Sequence, residues 1–153
     1  MSGTNWTIGI DFGTSNTAAA HTNPVKGTVE AVNLSHNRTT MSSSVYVESP
    51  EQIDVGDVAM DKAESNPAGF IPAPKRVIPQ QMFQVNGYDL SASMPVAAVL
   101  SSVVQRVSRE HGNVQPSELV LTHPEAWSSN EIKVLLDAAA QLGLSAAKIT
   151  TIS

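Results

Sequence analysis

The stretch IGIDFGTSNTAAA at residues 8–20 decides the fold that we predict for this chain. An apolar run ends in an acid and a glycine, three polar side chains follow, and a run of small residues begins. This order is typical of a β-hairpin with a polar tip. The tip, Gly13-Thr14-Ser15-Asn16, can direct backbone N–H groups and two hydroxyls at one point, which suits a phosphate group. From these residues alone, an ordinary exposed turn is an equally good interpretation.

Asp11 stands just before this tip and narrows the chemistry. A carboxylate beside bound phosphates repels them unless a divalent cation lies between, so Asp11 indicates Mg²⁺ held through its water shell. Asp11-Phe12-Gly13 also spells the metal-binding tripeptide of protein kinases. In kinases a glycine-rich loop, a strand lysine and a catalytic loop come first, and ten residues cannot contain them. We therefore set the kinase interpretation aside.

Composition limits the class of protein. At 153 residues and 41% hydrophobic content, the chain is long enough for one compact core. Its 14 acidic and 9 basic residues give a net charge of -5 without a basic cluster, which argues against nucleic acid and membrane surfaces as partners. The absence of cysteine excludes disulfides, zinc–thiolate sites and thiol nucleophiles. With no signal peptide or membrane-spanning stretch in view, we expect a cytoplasmic protein.

Hydrophobic periodicity predicts the elements around the hairpin. Strands are expected over 6–12, 17–21 and 28–34, as an antiparallel three-stranded start. Residues 35–94 are richer in polar residues and proline, and we interpret them as a small inserted α+β subdomain. Its expected elements are a strand over 43–48, a helix over 55–65 and a hairpin over 83–90 around Asn86-Gly87.

The C-terminal third has the clearest pattern. Ser93 is expected to cap a core-facing helix that ends before Gly112, and a strand is expected over 118–123. Ser128 and Glu131 have capping-box spacing, which predicts a second amphipathic helix that stops at Gly143. A last strand is expected over 148–152, so the order strand, helix, strand predicts a parallel β-α-β end. We therefore predict an α/β fold with a mixed sheet, divided into 1–34, 35–94 and 95–153.

Residues 8–17 closely resemble the first phosphate motif of the 70-kDa heat-shock protein (DnaK-type) family, within the actin, hexokinase and heat-shock ATPase superfamily. Further segments resemble that family in the same order and cover nearly the whole chain: 37–45, 55–59, 66–67, 74–78, 120–127 and 139–144. The resemblance implies a ribonuclease-H-like (actin-like ATPase) lobe.

The resemblance also implies roles for named residues. The hairpin backbone and hydroxyls at Gly13, Thr14, Ser15 and Asn16 would bind the phosphates of ATP or ADP. Asp11 would hold Mg²⁺ through water.

Lys75 corresponds to the family's catalytic lysine, which places an ammonium against the γ-phosphate. Without the resemblance, Lys75 is better interpreted as a solvated surface lysine in a proline-rich loop.

Pro124 resembles the family's switch proline, part of a relay between nucleotide state and a substrate-binding domain. The family's relay arginine is missing, because Ile132 stands there with Lys133 adjacent, which puts the relay in doubt. His123 replaces an apolar residue and is better interpreted as a packed or solvated side chain than as an acid or base. The other three histidines, His21, His36 and His111, share no metal-ligand spacing.

The resemblance further implies groups outside these 153 residues. In the family, a glutamate that positions the catalytic water follows the last strand, and a second glycine-rich loop and the adenosine pocket come later. We therefore expect a truncated chain that binds ATP weakly or not at all and has no measurable ATPase activity. The sheet should also expose apolar surface near Leu119, Leu121 and Ile149, which could support self-association.

Two functions for the parent protein stay open. The first is a chaperone ATPase whose partners are unfolded polypeptides, a specific client or a co-chaperone. The second is a noncatalytic protein-interaction module that uses 35–94 as its binding surface. A sugar kinase-like lobe begins with a similar hairpin, but the segment around Lys75 argues against it.

Overall fold

The computed structural model describes residues 5–23, 26–35, 38–144 and 147–153, so the predictions that name His36 and Asn37 lie outside the described residues. Within these ranges the strands are β1 (Thr7–Phe12), β2 (Asn16–Asn23), β3 (Thr28–Ala31), β4 (Thr40–Ser42), β5 (Val45–Ser49), β6 (Gln52–Val55), β7 (Phe70–Ile71), β8 (Met82–Val85), β9 (Tyr88–Ser91), β10 (Glu118–Thr122) and β11 (Lys148–Ile152). The α-helices are α1 (Gly56–Ser65), α2 (Ser93–Ser108) and α3 (Ser129–Ala140). Short 3₁₀ helices span Pro67–Gly69, Pro74–Gln80 and Arg109–His111.

The main sheet has the strand order β11-β10-β1-β2-β3, with β4 also paired to β2. β1 is antiparallel to β2 and parallel to β10, and β10 is parallel to β11. Ile8, Ile10 and Phe12 alternate into the core because successive strand residues point to opposite faces. The predicted α/β class and its mixed sheet are confirmed: an antiparallel meander leads into a parallel strand-helix-strand unit.

Residues of the 35–94 segment are tied into the main sheet as well as forming sheets of their own. β4 pairs with β2, while β5 pairs with β6 and β7, and β8 forms a hairpin with β9. Val45 and Val47 are fully buried and belong to the same hydrophobic cluster as Ile8 and Ile10. The predicted helix and hairpin of this segment are confirmed in type and place, and the predicted strand begins at Val45 rather than at Ser43.

The two long helices largely follow their sequence signals. Gly112 and Gly143 have positive φ angles of 65° and 70° just past the helices that they were predicted to end. The prediction that Ser93 caps α2 is wrong, because Ala92 occupies that position and Ser93 starts the helix. Ser93 is instead buried, and its hydroxyl accepts a hydrogen bond from Gln141 Nε2 at 2.8 Å. A polar contact between helices therefore replaced a local cap.

Burial also corrects the expected apolar surface. Leu119 and Leu121 are fully buried, because they belong to the hydrophobic cluster that also contains residues of α2 and α3. Ile149 is partly buried against the same core. The prediction of exposed apolar surface at Leu119 and Leu121, on which we based self-association, is therefore wrong. Larger exposed fractions occur at Leu136 (39%) and Ile152 (48%). Among the described residues, no helix is long and apolar enough to cross a membrane.

Candidate functional site

The tip of the β1–β2 hairpin is a tight turn that only glycine can start. The Gly13 N–H donates a 3.0 Å hydrogen bond to the Asn16 carbonyl and closes the turn. A Cβ atom on Gly13 would lie 2.4 Å from that same oxygen, which is backbone and cannot swing away. Asn16 itself belongs to β2, and its side chain is exposed. The turn therefore has a fixed shape set by Gly13.

A buried serine fastens the turn from behind. Ser43 Oγ donates to the Gly13 carbonyl at 3.0 Å, and its backbone N–H donates to the Ser15 carbonyl at 2.9 Å. Thr17 Oγ1 lies 2.8 Å from Ser43 Oγ. Because Ser43 has one hydroxyl proton and gives it to Gly13, Thr17 must be the donor in this pair. Ser43 was predicted as part of a strand and of a segment that resembles the family, but its contact with Gly13, 30 residues away, had no signal in the sequence.

These bonds use the carbonyls of the turn and leave its donors available. In the part of the chain that the structure describes, the backbone N–H groups and hydroxyls of Thr14 and Ser15 make no hydrogen bond to protein. Ser15 is exposed and Thr14 is half-buried. A turn with several unpaired backbone donors can bind an anion. The phosphate-binding role of Thr14 and Ser15 stays a prediction.

Asp11 lies at the carboxyl end of β1, where β10 also ends. Its Oδ1 accepts a 2.9 Å hydrogen bond from Thr122 Oγ1, and the carboxylate is exposed. β1 and β10 are parallel, so both strands end at the same edge of the sheet, which is where α/β sheets commonly bind ligands. Among the described residues, no three His, Cys, Asp or Glu side chains gather into a metal site. One carboxylate with phosphate oxygens and water still fits Mg²⁺, which keeps most of its waters.

Lys75 contacts an aromatic side chain rather than an acid. It lies in the 3₁₀ helix Pro74–Gln80, and its Nζ is 5.5 Å from the centre of the Trp127 ring. Trp127 in turn stacks on His123, with ring centres 6.0 Å apart and planes 8° from parallel. A cation over an aromatic face is attracted without being neutralised. Lys75 is thus held in place with its positive charge available.

The turn after β10 connects Pro124 to this aromatic pair. The Pro124 carbonyl accepts a 3.0 Å hydrogen bond from His123 Nδ1 and a 3.1 Å bond from the Trp127 N–H. A carbonyl can only accept, so His123 carries its proton on Nδ1. Lys133, next to the position of the missing arginine, pairs with Asp137 on its own helix at 3.2 Å.

The structure therefore brings the predicted residues together in two groups that meet at β10. Asp11 and the hairpin tip form one group, in which Asp11 is bonded to Thr122. Lys75 and Pro124 form the other through Trp127 and His123, and His123 directly follows Thr122. Trp127 lies in the segment 120–127 that resembles the family, but no sequence pattern predicted its contact with Lys75.

The chain matches no protein-family model, and no curated protein matches its sequence. Function is accordingly inferred from the residues and geometry of the site.

Proposed function

We propose that this chain is the N-terminal lobe of a heat-shock-like (DnaK-type) ATPase and supplies its first phosphate loop. The observation that carries the proposal is the hairpin turn, whose Thr14 and Ser15 donors are unpaired within the described chain and which begins two residues after Asp11 in the sequence. The order of an antiparallel meander and a parallel strand-helix-strand unit supports a ribonuclease-H-like lobe. A solvent-exposed turn without function needs neither the buried fastening of Ser43 nor a carboxylate at the same edge.

In the proposed complex, the β- and γ-phosphates of ATP accept hydrogen bonds from Thr14 and Ser15. The carboxylate of Asp11 would repel these phosphates unless a cation lay between them, so Asp11 is the residue that would hold Mg²⁺ through water. Mg²⁺ would supply charge neutralisation of the phosphates when it is bound. The Thr122 hydroxyl keeps one Asp11 oxygen occupied, which fixes the orientation of the carboxylate.

Lys75 is the group proposed to act during hydrolysis. As water attacks the γ-phosphorus and the bond to the β–γ bridging oxygen breaks, negative charge is redistributed over the phosphate oxygens, where an ammonium is most useful. A single well-placed donor of this kind contributes about 3–4 kcal/mol. Trp127 holds Lys75 by its ring face, so the lysine is not consumed by an ion pair. The resemblance assigns water activation to a glutamate that is not among these 153 residues.

Pro124 is the proposed switch of the parent protein. Its carbonyl holds both His123 and Trp127, so a movement of this turn would shift the ring that holds Lys75. This path runs through aromatic contacts and does not require the missing arginine. Partners of the parent protein would be nucleotide, an unfolded polypeptide or client and a co-chaperone, in the cytoplasm.

The proposal is tested by titrating the ¹⁵N-labelled chain with tripolyphosphate and with ATP, each in the presence and in the absence of Mg²⁺. Because only half of the phosphate clamp is present, we expect weak binding, with amide shifts centred on Thr14 and Ser15 and a dissociation constant of about 1 mM, which corresponds to about 4 kcal/mol. The matched variant is Asp11→Asn, which keeps the shape and removes the charge. Mg²⁺ should strengthen phosphate binding by the unsubstituted chain and have little effect on binding by the Asp11→Asn variant.

Two results would overturn the proposal. If about 10 mM ligand leaves residues 13–16 unshifted, the turn is not a phosphate loop and the noncatalytic interaction module is favoured. If Mg²⁺ helps the parent chain and the Asp11→Asn variant equally, the role given to Asp11 is wrong.

A further inference from the structure

A pair of histidines at the opposite end of the β1–β2 hairpin has no part in the proposed phosphate site. His21 lies in β2 and is 94% buried, since its exposed fraction is 6%. Its Nδ1 is 2.8 Å from Nε2 of His111, which lies 90 residues further along the chain. The two rings meet edge to face, with centres 5.0 Å apart and planes at 89°. One proton must lie between the two nitrogens at this distance.

The same pair covers a buried tryptophan. The His111 ring stacks on Trp6 with centres 3.9 Å apart and planes 4° from parallel, and Trp6 is only 1% exposed. Trp6 Nε1 donates to the Val114 carbonyl at 3.0 Å, and the Ser117 N–H donates to the Trp6 carbonyl at 2.8 Å. Residues 111–117 therefore close over Trp6, and the bond between the histidines fastens the first residue of that segment to β2.

The geometry does not suit a metal ion. In a tetrahedral zinc site with Zn–N bonds of about 2.0–2.1 Å, two ligand nitrogens stand roughly 3.3 Å apart. The observed 2.8 Å is a hydrogen-bond distance instead. Within the described ranges no third His, Cys, Asp or Glu completes a metal-binding group with the pair. The pair is therefore a proton site.

The charges around the pair favour one arrangement of protons. Glu30 Oε1 in β3 is 3.8 Å from His21 Nε2, so a proton on that nitrogen is favoured. His21 Nδ1 is then free to accept the proton of His111 Nε2. In the described part of the chain, the other charges facing the pair are Lys26, which is 3.7 Å from Glu30, and Glu110, which acts on His111.

We propose that His21 and His111 form a histidine latch, which holds residues 111–117 over Trp6 and opens when both rings become protonated. With one proton added, one ring still donates to the other across this contact and the latch stays closed. With two protons added, N–H groups of two imidazolium ions face each other across 2.8 Å. Neither ring can then accept a hydrogen bond, and the two positive charges repel each other, so the closed latch is disfavoured. Opening would release residues 111–117, which lie between α2 and β10, and would expose Trp6.

The direction of the pH effect follows from His111. Burial, and then the charge of His21, hold the pKa of His111 below its usual value. A lowered pKa means that the folded chain binds this proton less readily than the unfolded chain does. The stabilisation by the latch is therefore fully present above about pH 6.5 and is lost as the pH falls through the lowered pKa.

The test uses the Trp127→Phe chain, in which Trp6 is the remaining tryptophan. Histidine ring NMR should show two protonation steps for the pair, the second at lower pH. The second step should coincide with a change in Trp6 fluorescence and with a loss of amide protection at Ser117. The amide protection factor at Ser117, corrected for intrinsic exchange, should fall as the pH is lowered. The fall should be about tenfold for each pH unit that separates the second protonation step from the ordinary pKa of histidine.

The matched variant is His111→Phe in the same background, which keeps an aromatic ring on Trp6 and removes the proton. It should retain buried Trp6 emission and lose the pH-dependent change. The latch is overturned if the variant and its parent show the same fluorescence profile. The NMR titration of the parent chain needs no variant to fold, and two independent histidine titrations near about pH 6.5, without exposure of Trp6, would equally refute it.

Discussion

Replacing Ser43 with alanine removes a buried hydroxyl on which the hairpin turn depends. Ser43 and Thr17 have exposed fractions of 0%, so no water can take the place of the missing hydroxyl. The Thr17 hydroxyl would lose its 2.8 Å partner, and the Gly13 carbonyl would lose a donor. A buried polar group left without a partner costs about 1–3 kcal/mol, and the Gly13 carbonyl adds less because it is partly accessible. We expect the free energy of unfolding to fall by about 1–3 kcal/mol.

The assay is urea unfolding followed by circular dichroism, with the Thr17→Val substitution completing a double-mutant cycle. Valine has the shape of threonine without its hydroxyl, so Ser43→Ala combined with Thr17→Val leaves no unpaired hydroxyl. The double variant should be more stable than the sum of the single losses predicts. Ser15→Ala, at the exposed tip, is the control and should change stability by less than about 0.5 kcal/mol. Additive losses in the cycle would refute the hydrogen bond between Ser43 and Thr17.

Two further predictions concern the same edge of the sheet. Gly13→Ala should destabilise the chain by about 1–3 kcal/mol in thermal unfolding, because its Cβ would lie 2.4 Å from the Asn16 carbonyl oxygen. Gly9→Ala is its control, since a Cβ there meets nothing within 4 Å, and an equal loss at both glycines would contradict the steric reason. Lys75→Gln and Trp127→Leu should show a coupling energy of about 0.5–1 kcal/mol in a double-mutant cycle, whereas additivity would exclude a cation–π contact.

The parts of the fold that local patterns specify could be predicted. Alternation of apolar residues located β1 and its hairpin partner, because a half-buried strand has a side-chain period of two. The capping box also held, since the Ser128 N–H donates to Glu131 Oε1 at 3.2 Å. Gly143 follows the end of α3 and has a positive φ angle, as predicted. Each of these signals lies within a few residues of the element that it specifies.

The contacts that complete the site could not be predicted, because they join distant residues without a periodic pattern. Ser43 was included in a predicted strand, whereas it lies just before β5, with its hydroxyl directed at a turn 30 residues away. Trp127 meets Lys75 only because α3 and the 3₁₀ helix Pro74–Gln80 pack against each other. No spacing in the sequence links His21 to His111, yet the fold places Nδ1 of His21 2.8 Å from Nε2 of His111.

The central position of β1 has a consequence for synthesis of the chain. β1 pairs on one side with β2, its neighbour in sequence, and on the other with β10, where Thr7 lies opposite Glu118. A ribosome adding about 5–20 residues per second needs roughly 5–20 s to pass from one strand to the other. Throughout that interval the nascent hairpin presents an unpaired β1 edge, a template for pairing with other chains. β1 therefore gains its second neighbour only when β10 has been made, so co-translational protection of this strand edge matters during that interval.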